Sequence, residues 1–208
     1  RLVPHFEKEI QNEKFSSKMI LLKENSENII ISSNRVHSLL NELKLFSQLD
    51  NAEYQNYDIH QGINSSLHLL GFKLNHVKVI KEFGTVKPVW CSPYQVNQIF
   101  SNVMLNSIEA LKDIQGEIKI ITDSQKDYAR IQIIDTGKGI KKEYLNKIFD
   151  PGFTTKGSGV GTGLGLSIVY NMIQHHKGKI EVISPFYCDC IPPKGTQVII
   201  FLPYTFQN

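Results

Sequence analysis

Five glycines stand at alternate positions, 157, 159, 161, 163 and 165, within the stretch DPGFTTKGSGVGTGLGLSIVY, Asp150 to Tyr170, and an apolar helical pattern follows at once. A structural turn needs one or two glycines. Several in alternation give a backbone that bends freely and brings bare N–H groups close to a partner. The run leads into a helix at about Leu164, so N–H groups and the positive end of a helix dipole converge there, which is the chemistry of an anion site. Phosphate is the obvious anion. A flexible linker would favour serine and would lack the apolar Val160, Leu164 and Leu166. The run has no Gly-Lys-Ser/Thr ending of a Walker A loop, and it lacks the strand-then-GxGxxG setting of a dinucleotide fold.

Two further groups carry chemistry. In IIDTGKGI, Ile133 to Ile140, a β-branched strand ends in Asp135, followed by Gly137 and Gly139. A carboxylate held at a strand end only accepts hydrogen bonds, so it selects adenine, whose exocyclic amine donates, over guanine, which presents a carbonyl. A simple Asx turn at Asp135 accounts for the same residues equally well. Asn102 and Asn106 lie four apart on a helix whose apolar face is Val96, Ile99, Val103 and Leu111, so both amides project from one side next to the core. An asparagine oxygen is a neutral hard ligand suited to sharing Mg²⁺ with phosphate oxygens, although a solvated helix face has the same spacing.

The elements that must position these residues follow from pattern. No proline or glycine interrupts about Asn12 to Leu49, and Ile29, Val36 and Leu43 alternate with Ser32, Leu39 and Phe46 in a narrow seam, which predicts a long bundle helix. The polar LDNAEYQNYD ends it. Asp58 is an N-cap for a helix through IHQGINSSLHLLGF, with Ile59, Ile63, Leu67 and Leu70 on one face. Two β-like runs, VKVIKEF and VKPVWC, precede a helix opened by Ser92 and Pro93. GEIKIITDS and YARIQIID read as an antiparallel hairpin turning at Gln125 to Asp127. A helix LSIVYNMIQHHK with Gly178 as its C′ residue, then strands KIEVIS and TQVIIFLP, complete the chain. Strands pairing in sequence order predict an α+β two-layer sandwich with helices on one face. The expected organisation is a bundle helix in 1–50, a linker in 51–57 and a sandwich domain in 58–208.

Composition sets outer bounds. The chain has 208 residues, 41% hydrophobic and 21% charged, which is ordinary for a globular fold. A formal charge of +3, with no basic run interleaved with aromatics, argues against nucleic acid. No stretch is long and apolar enough to span a bilayer. The chain begins with Arg1 rather than Met, so a segment of a longer protein is expected, cytoplasmic in this part and open to membrane anchoring elsewhere. Cys91, Cys188 and Cys190 lack metal-ligand spacing and are expected to be reduced, non-functional thiols.

Taken in order, NQIFSNVMLNSIEAL, DTGKGI, FDPGFTTK and GTGLGLSIVYNMIQHHKGKIEV resemble the N, first-glycine, F and second-glycine boxes of the catalytic ATP-binding domain of sensor histidine kinases. That domain shares its Bergerat-type fold with gyrase, the heat-shock chaperone ATPase and mismatch-repair ATPases. The resemblance covers about Asp58 to Pro203 and implies ATP and Mg²⁺ as cofactors. It implies that Asn106 coordinates Mg²⁺, that Asp135 binds the adenine amine and that Gly137 and Gly139 shape the adenine pocket. Thr154 to Gly165 would be a mobile lid whose Gly161, Gly163 and Gly165 approach the phosphates. Ile140, Phe149, Phe153, Thr162, Leu164 and Leu166 would complete the nucleotide site, with Asn102, Thr155 and Lys156 taking part in transfer. The helix segment NRVHSLLNELKLFSQLD resembles the second helix of a dimerisation and phosphotransfer hairpin, which implies a homodimer and a response regulator receiver domain as partner.

The departures are informative. No His-Glu-x-x-x-Pro motif is present; His5 is followed by FEKEI, and His37 sits where such second helices carry none, so the acceptor histidine is expected upstream of Arg1. Glu109 stands where many kinases have a basic residue, and PFYCDCIPPK, Pro185 to Lys194, is longer than the turn the family often has. The ATP-hydrolysing branches carry a glutamate base one helical turn before the metal-binding asparagine. Here that place holds Asn102, and an amide cannot take a proton near neutral pH, which favours phosphotransfer over hydrolysis. Two alternatives remain: an anti-sigma-type serine kinase, and an ATP-sensing dimerisation module without transfer.

Overall fold

The computed structural model describes residues 18–26, 29, 32–33, 53–112, 114–156, 161–185 and 195–205. The chain divides into two compact units, Arg1–Lys44 with Thr154–Thr162, and Leu45–Phe153 with Gly163–Asn208. In the first unit residues 18–26 are helical, with Met19, Ile20, Leu21 and Leu22 exposed. Ile29 and Ser32 of the predicted seam are also helical, whereas Val36, Leu39, Leu43 and Phe46 lie outside the described residues, as do His5, His37, Cys188 and Cys190.

The second unit is a mixed sheet under three helices. Its elements are β1 (Gln55–Tyr57), α1 (Ile59–Leu69), β2 (Val77–Phe83), β3 (Val89–Cys91), α2 (Pro93–Ala110), β4 (Gly116–Gln125), β5 (Tyr128–Asp135), α3 (Gly165–His175), β6 (Lys179–Ile183) and β7 (Thr196–Pro203). The main sheet has the order β2-β4-β5-β7-β6; β2 and β4 run parallel and every other neighbour is antiparallel. The expectation of sequential pairing is therefore corrected. The β4–β5 hairpin and the β6–β7 pair are sequential, but α2 carries the chain from β2 over to a parallel β4, and β7 inserts between β5 and β6. The VKPVWC run also forms strand only at Val89–Cys91. It pairs with β1, which lies in the segment read as linker, with Tyr57 opposite Val89.

Alternation decides the faces of the sheet. Ile118 and Ile120 of β4, Ile131 and Ile133 of β5, and Val198, Ile200 and Leu202 of β7 point inward together because the register aligns them. Over them lies α2, between α1 and α3 and against β5. Its buried positions, among them Val96, Ile99, Phe100, Val103, Met104 and Ile108, recur at spacings of three and four, as a central helix requires. Asp58 caps α1 by accepting from the His60 N–H at 2.9 Å. That helix stops at Leu69, before the Gly-Phe end of the predicted run, and a 3₁₀ turn Gly71–Lys73 follows.

The C′ residue of α3 is Lys177, not Gly178. Lys177 has φ +53, its N–H donates to Gln174 O and the Gly178 N–H donates to Ile173 O, both at 2.9 Å, which together form a Schellman motif. Gly178 serves a different need: a Cβ there would collide with the Phe201 carbonyl oxygen of β7.

Candidate nucleotide site

The site grows from the end of β5. Inward alternation at Ile131 and Ile133 carries Asp135 inward as well, leaving it 4% exposed in a mainly apolar layer. Burial pushes its carboxyl up to about 6 from an ordinary 3.8, against hydrogen bonds from the Gly137 N–H, the Ser107 hydroxyl and the Thr196 N–H that hold it down. The Gly137 bond, at 2.9 Å to Oδ1, is the Asx turn that sequence left open. The turn fixes one oxygen and holds the carboxylate at the end of β5.

Gly137 must be glycine for contact reasons. A Cβ there would lie 2.6 Å from Ala110 Cβ and 2.7 Å from Asp135 Oδ1. The loop thus presses on the last turn of α2, and the Lys138 N–H donates to Ala110 O at 3.3 Å. Asn102, Asn106 and Ala110 follow one another at i, i+4 and i+8 on α2, so Asn106 stands about 6 Å along the helix axis from the turn that holds Gly137. Both asparagines are half-buried, and Asn102 Oδ1 accepts from Gln98 Nε2 at 3.1 Å. Among the described residues no group of three or more His, Cys, Asp and Glu could hold a metal. A cation here would be held by amide oxygen together with a ligand's own anionic oxygens, the mode Mg²⁺ favours.

Gly139, with φ +71, turns the loop, and the Ile140 N–H donates to Ser184 Oγ at 2.7 Å. Ser184 Oγ in turn donates to Gly195 O at 2.9 Å, tying the loop to the residue that enters β7. Further on, Phe149 packs on Tyr170 and Phe153 on Tyr144, with ring centroids 5.3 and 5.6 Å apart. Gly163 has φ +71 and its carbonyl accepts from the Gly152 N–H at 3.1 Å; a Cβ would stand 2.7 Å from Phe153 O. This contact fixes the entry to α3. Leu164 is the N-cap residue, Gly165 and Leu166 form the first turn, and no side chain caps it. Among the described residues nothing lies within 4 Å of a Cβ built at Gly165, so they leave the space beside that helix end open.

The remaining predicted residues belong to the other compact unit, which takes in Thr154–Thr162. There the Lys156 N–H donates to Thr154 Oγ1 at 3.1 Å, and a Cβ at Gly161 would meet Lys156 Cδ at 2.9 Å. Thr155 is exposed, and Thr162 is half-buried. The structure therefore brings Asp135, Gly137, Gly139 and Ile140 into one loop that touches α2 at Ala110, one helical turn beyond Asn106, and gives Gly163, Leu164, Gly165 and Leu166 a defined helix entry.

Sequence reasoning missed Ser107, Ser184 and Thr196. Ser107 was detectable, being a polar residue at i+4 from Val103 on the buried face of α2. Ser184 and Thr196 reach the loop only through the pairing of β5 with β7, which no local pattern announces.

Comparison with known proteins gives concordant results. The family described as "Histidine kinase-, DNA gyrase B-, and HSP90-like ATPase" matches residues 91–205. The sensor histidine kinase ZraS of Escherichia coli (strain K12) is 30% identical over 82% of this chain and 36% of its own length. Sporulation kinase E of Bacillus subtilis (strain 168) is 29% identical over 85% of the chain and 23% of its own length. The chain thus spans about a third or less of these relatives. Among solved structures, the nucleotide-free catalytic domain of histidine kinase ThkA is 28% identical with a TM-score of 0.64, covering 74% of this chain and 97% of that domain. ThkA has also been solved in complex with the response regulator protein TrrA; that structure, 23% identical over 82% of this chain and 49% of its own, with a TM-score of 0.63, shares the fold.

Proposed function

Because this chain belongs to the histidine kinase-, DNA gyrase B-, and HSP90-like ATPase family and is homologous to sensor histidine kinases, we propose that it is the ATP-binding catalytic part of such a kinase. The observation that carries the proposal is Asp135: a carboxylate 4% exposed, pinned by the Gly137 N–H, at the strand end beside the helix of Asn106. Its remaining acceptor capacity takes the adenine amine. Gly137, which lacks the side chain that would strike Ala110, lets the loop turn close to α2 and shape the pocket for a flat base. Asn106 holds Mg²⁺, which when bound neutralises charge on the phosphates. The open first turn of α3 at Gly165 takes phosphate oxygens, and Thr155 and Lys156 supply donors to the transferring group.

Asn102 supports transfer over hydrolysis. An amide one turn before Asn106 orients groups by hydrogen bonding but accepts no proton, so water at the γ-phosphoryl lacks a base. The acceptor is a histidine, brought in line with the γ-phosphoryl by a helical hairpin to which residues 1–50 contribute, joined through 51–57 to the catalytic domain 58–208. That histidine lies upstream in the parent protein, which acts as a homodimer with this part in the cytoplasm and passes the phosphoryl group to a response regulator receiver domain.

Calorimetric titration with ATP and with GTP, with and without Mg²⁺, tests the core of this reading on the chain and on Asn106→Ala. ATP binding that ignores GTP, and whose Mg²⁺ dependence disappears in the variant, is expected. A folded chain that binds neither nucleotide would overturn the proposal.

A further inference from the structure

His176 lies outside the nucleotide site, at the C-cap of α3, and is 1% exposed. Its two ring nitrogens meet backbone on opposite sides. Nδ1 lies 2.7 Å from Met172 O, and Nε2 lies 3.1 Å from the Ser92 nitrogen. A carbonyl can only accept and an amide N–H can only donate, so the ring is neutral with its proton on Nδ1. Ser92 is the N-cap of α2, the helix that carries Asn102 and Asn106. One hydrogen bond therefore ties the far end of α3 to the first turn of α2.

A second acceptor stands ready for the same N–H. Ser92, with Gln95 three residues on, is the S-x-x-Q pattern of a capping box, in which the glutamine side chain accepts from the N-cap N–H. Gln95 is 3% exposed, and its Oε1 is the single buried side-chain oxygen or nitrogen among the described residues with no hydrogen-bond partner. The Ser92 side chain makes no cap bond either. An orphaned buried amide oxygen is costly to keep, and here the donor that would satisfy it by the capping-box rule is held by His176.

We propose that the Ser92 N–H exchanges between two acceptors, His176 Nε2 and Gln95 Oε1, and that His176 is thereby a positioning residue for the asparagine helix. While His176 accepts, α2 and α3 are tied. When it is protonated Nε2 becomes a donor, Gln95 closes the capping box, and the tie is released with α2 still capped. Among the described residues, the titratable groups that meet the ring are Tyr54 ahead of β1, with ring centroids 5.3 Å apart, and His175 on α3, while Cys91, next to Ser92 in the chain, couples to Tyr54. Burial pushes the Cys91 thiol up to about 12 and raises Tyr54 as well, so neither supplies an anion to favour imidazolium. Burial also moves His176 below its ordinary range, so the exchange lies on the acid side of that range.

Amide hydrogen exchange at Ser92 in the nucleotide-free chain tests this. At neutral pH, Gln95→Met and His176→Phe each leave Ser92 protected, because the other acceptor remains. The double variant loses protection by roughly tenfold or more. His176→Gln combined with Gln95→Met keeps it, since a glutamine oxygen stands in for Nε2. In acid, Gln95→Met alone loses protection while the wild type does not. Exposure of Ser92 in either single variant at neutral pH would overturn the exchange, and so would a protected double variant. If the double variant fails to fold, the His176→Phe chain and the acid arm decide. Weaker ATP binding in His176→Phe, restored in His176→Gln, is expected for a positioning residue; this readout rests on the ATP proposal, whereas the exchange readouts do not.

Discussion

Asp135→Asn separates what the carboxylate does for binding from what it does to stability. The folded-state value of about 6, against an ordinary 3.8, is a rise of roughly two units, and at about 1.4 kcal/mol per unit keeping the charge buried costs about 3 kcal/mol at neutral pH. The folded form holds the proton more tightly than the unfolded form, so this contribution is favourable and complete below pH 4. It is lost as pH rises through about 6. Asparagine keeps an oxygen for the Gly137 N–H but adds two donors to a site built from donors, at a cost of about 1–3 kcal/mol. The variant is therefore expected to be as stable as the wild type or more so at pH 7, by about 0–2 kcal/mol. Urea denaturation of both chains without nucleotide, between pH 4 and 7, should show the difference between them growing with pH by about 3 kcal/mol. ATP binding should meanwhile fall by roughly tenfold or more, because an amide hydrogen now faces the adenine amine. A stability difference that stays flat with pH would refute the assignment of a raised, buried carboxyl. Unchanged ATP affinity would refute its role as the adenine acceptor.

Three further outcomes follow from the packing. Gly137→Ala forces a methyl to within 2.6 Å of Ala110 Cβ and should destabilise the chain by about 1–3 kcal/mol in urea while weakening ATP binding. Lys177→Gly relieves a left-handed residue at φ +53 and should stabilise by about 0.5–1 kcal/mol, read as a higher Tm. Cys91 is fully buried with its thiol pushed up to about 12, so in a chain carrying Cys188→Ser and Cys190→Ser a thiol reagent should label it only at the rate of unfolding.

Much of this protein was legible locally. Asp58 and Pro93 mark helix starts, and the alternation of β4, β5 and β7 sets their faces, because periodicity and capping are properties of a few adjacent residues. The residue types of the site, Asn102 and Asn106 four apart and Asp135 ahead of two glycines, were legible for the same reason. Assigning Gly178 as C′ failed because glycine is the default left-handed residue. Here the constraint on it was the Phe201 backbone, and lysine took the left-handed place.

Tertiary structure decided the rest. Sequence left Asp135 between an Asx turn and an adenine acceptor; the structure shows the turn, and burial beside Thr196 of β7 and Ser107 of α2 raises the carboxyl that we propose as acceptor. The insertion of β7 between β5 and β6 brings Ser184 and Thr196 to the loop after β5, contacts that depend on which strands lie side by side. His176 and Gln95 look unremarkable in the chain. Only packing sets a neutral imidazole on the Ser92 N–H and leaves a buried amide oxygen without its partner, because hydrogen bonds between elements far apart in sequence are fixed by the core that holds those elements together.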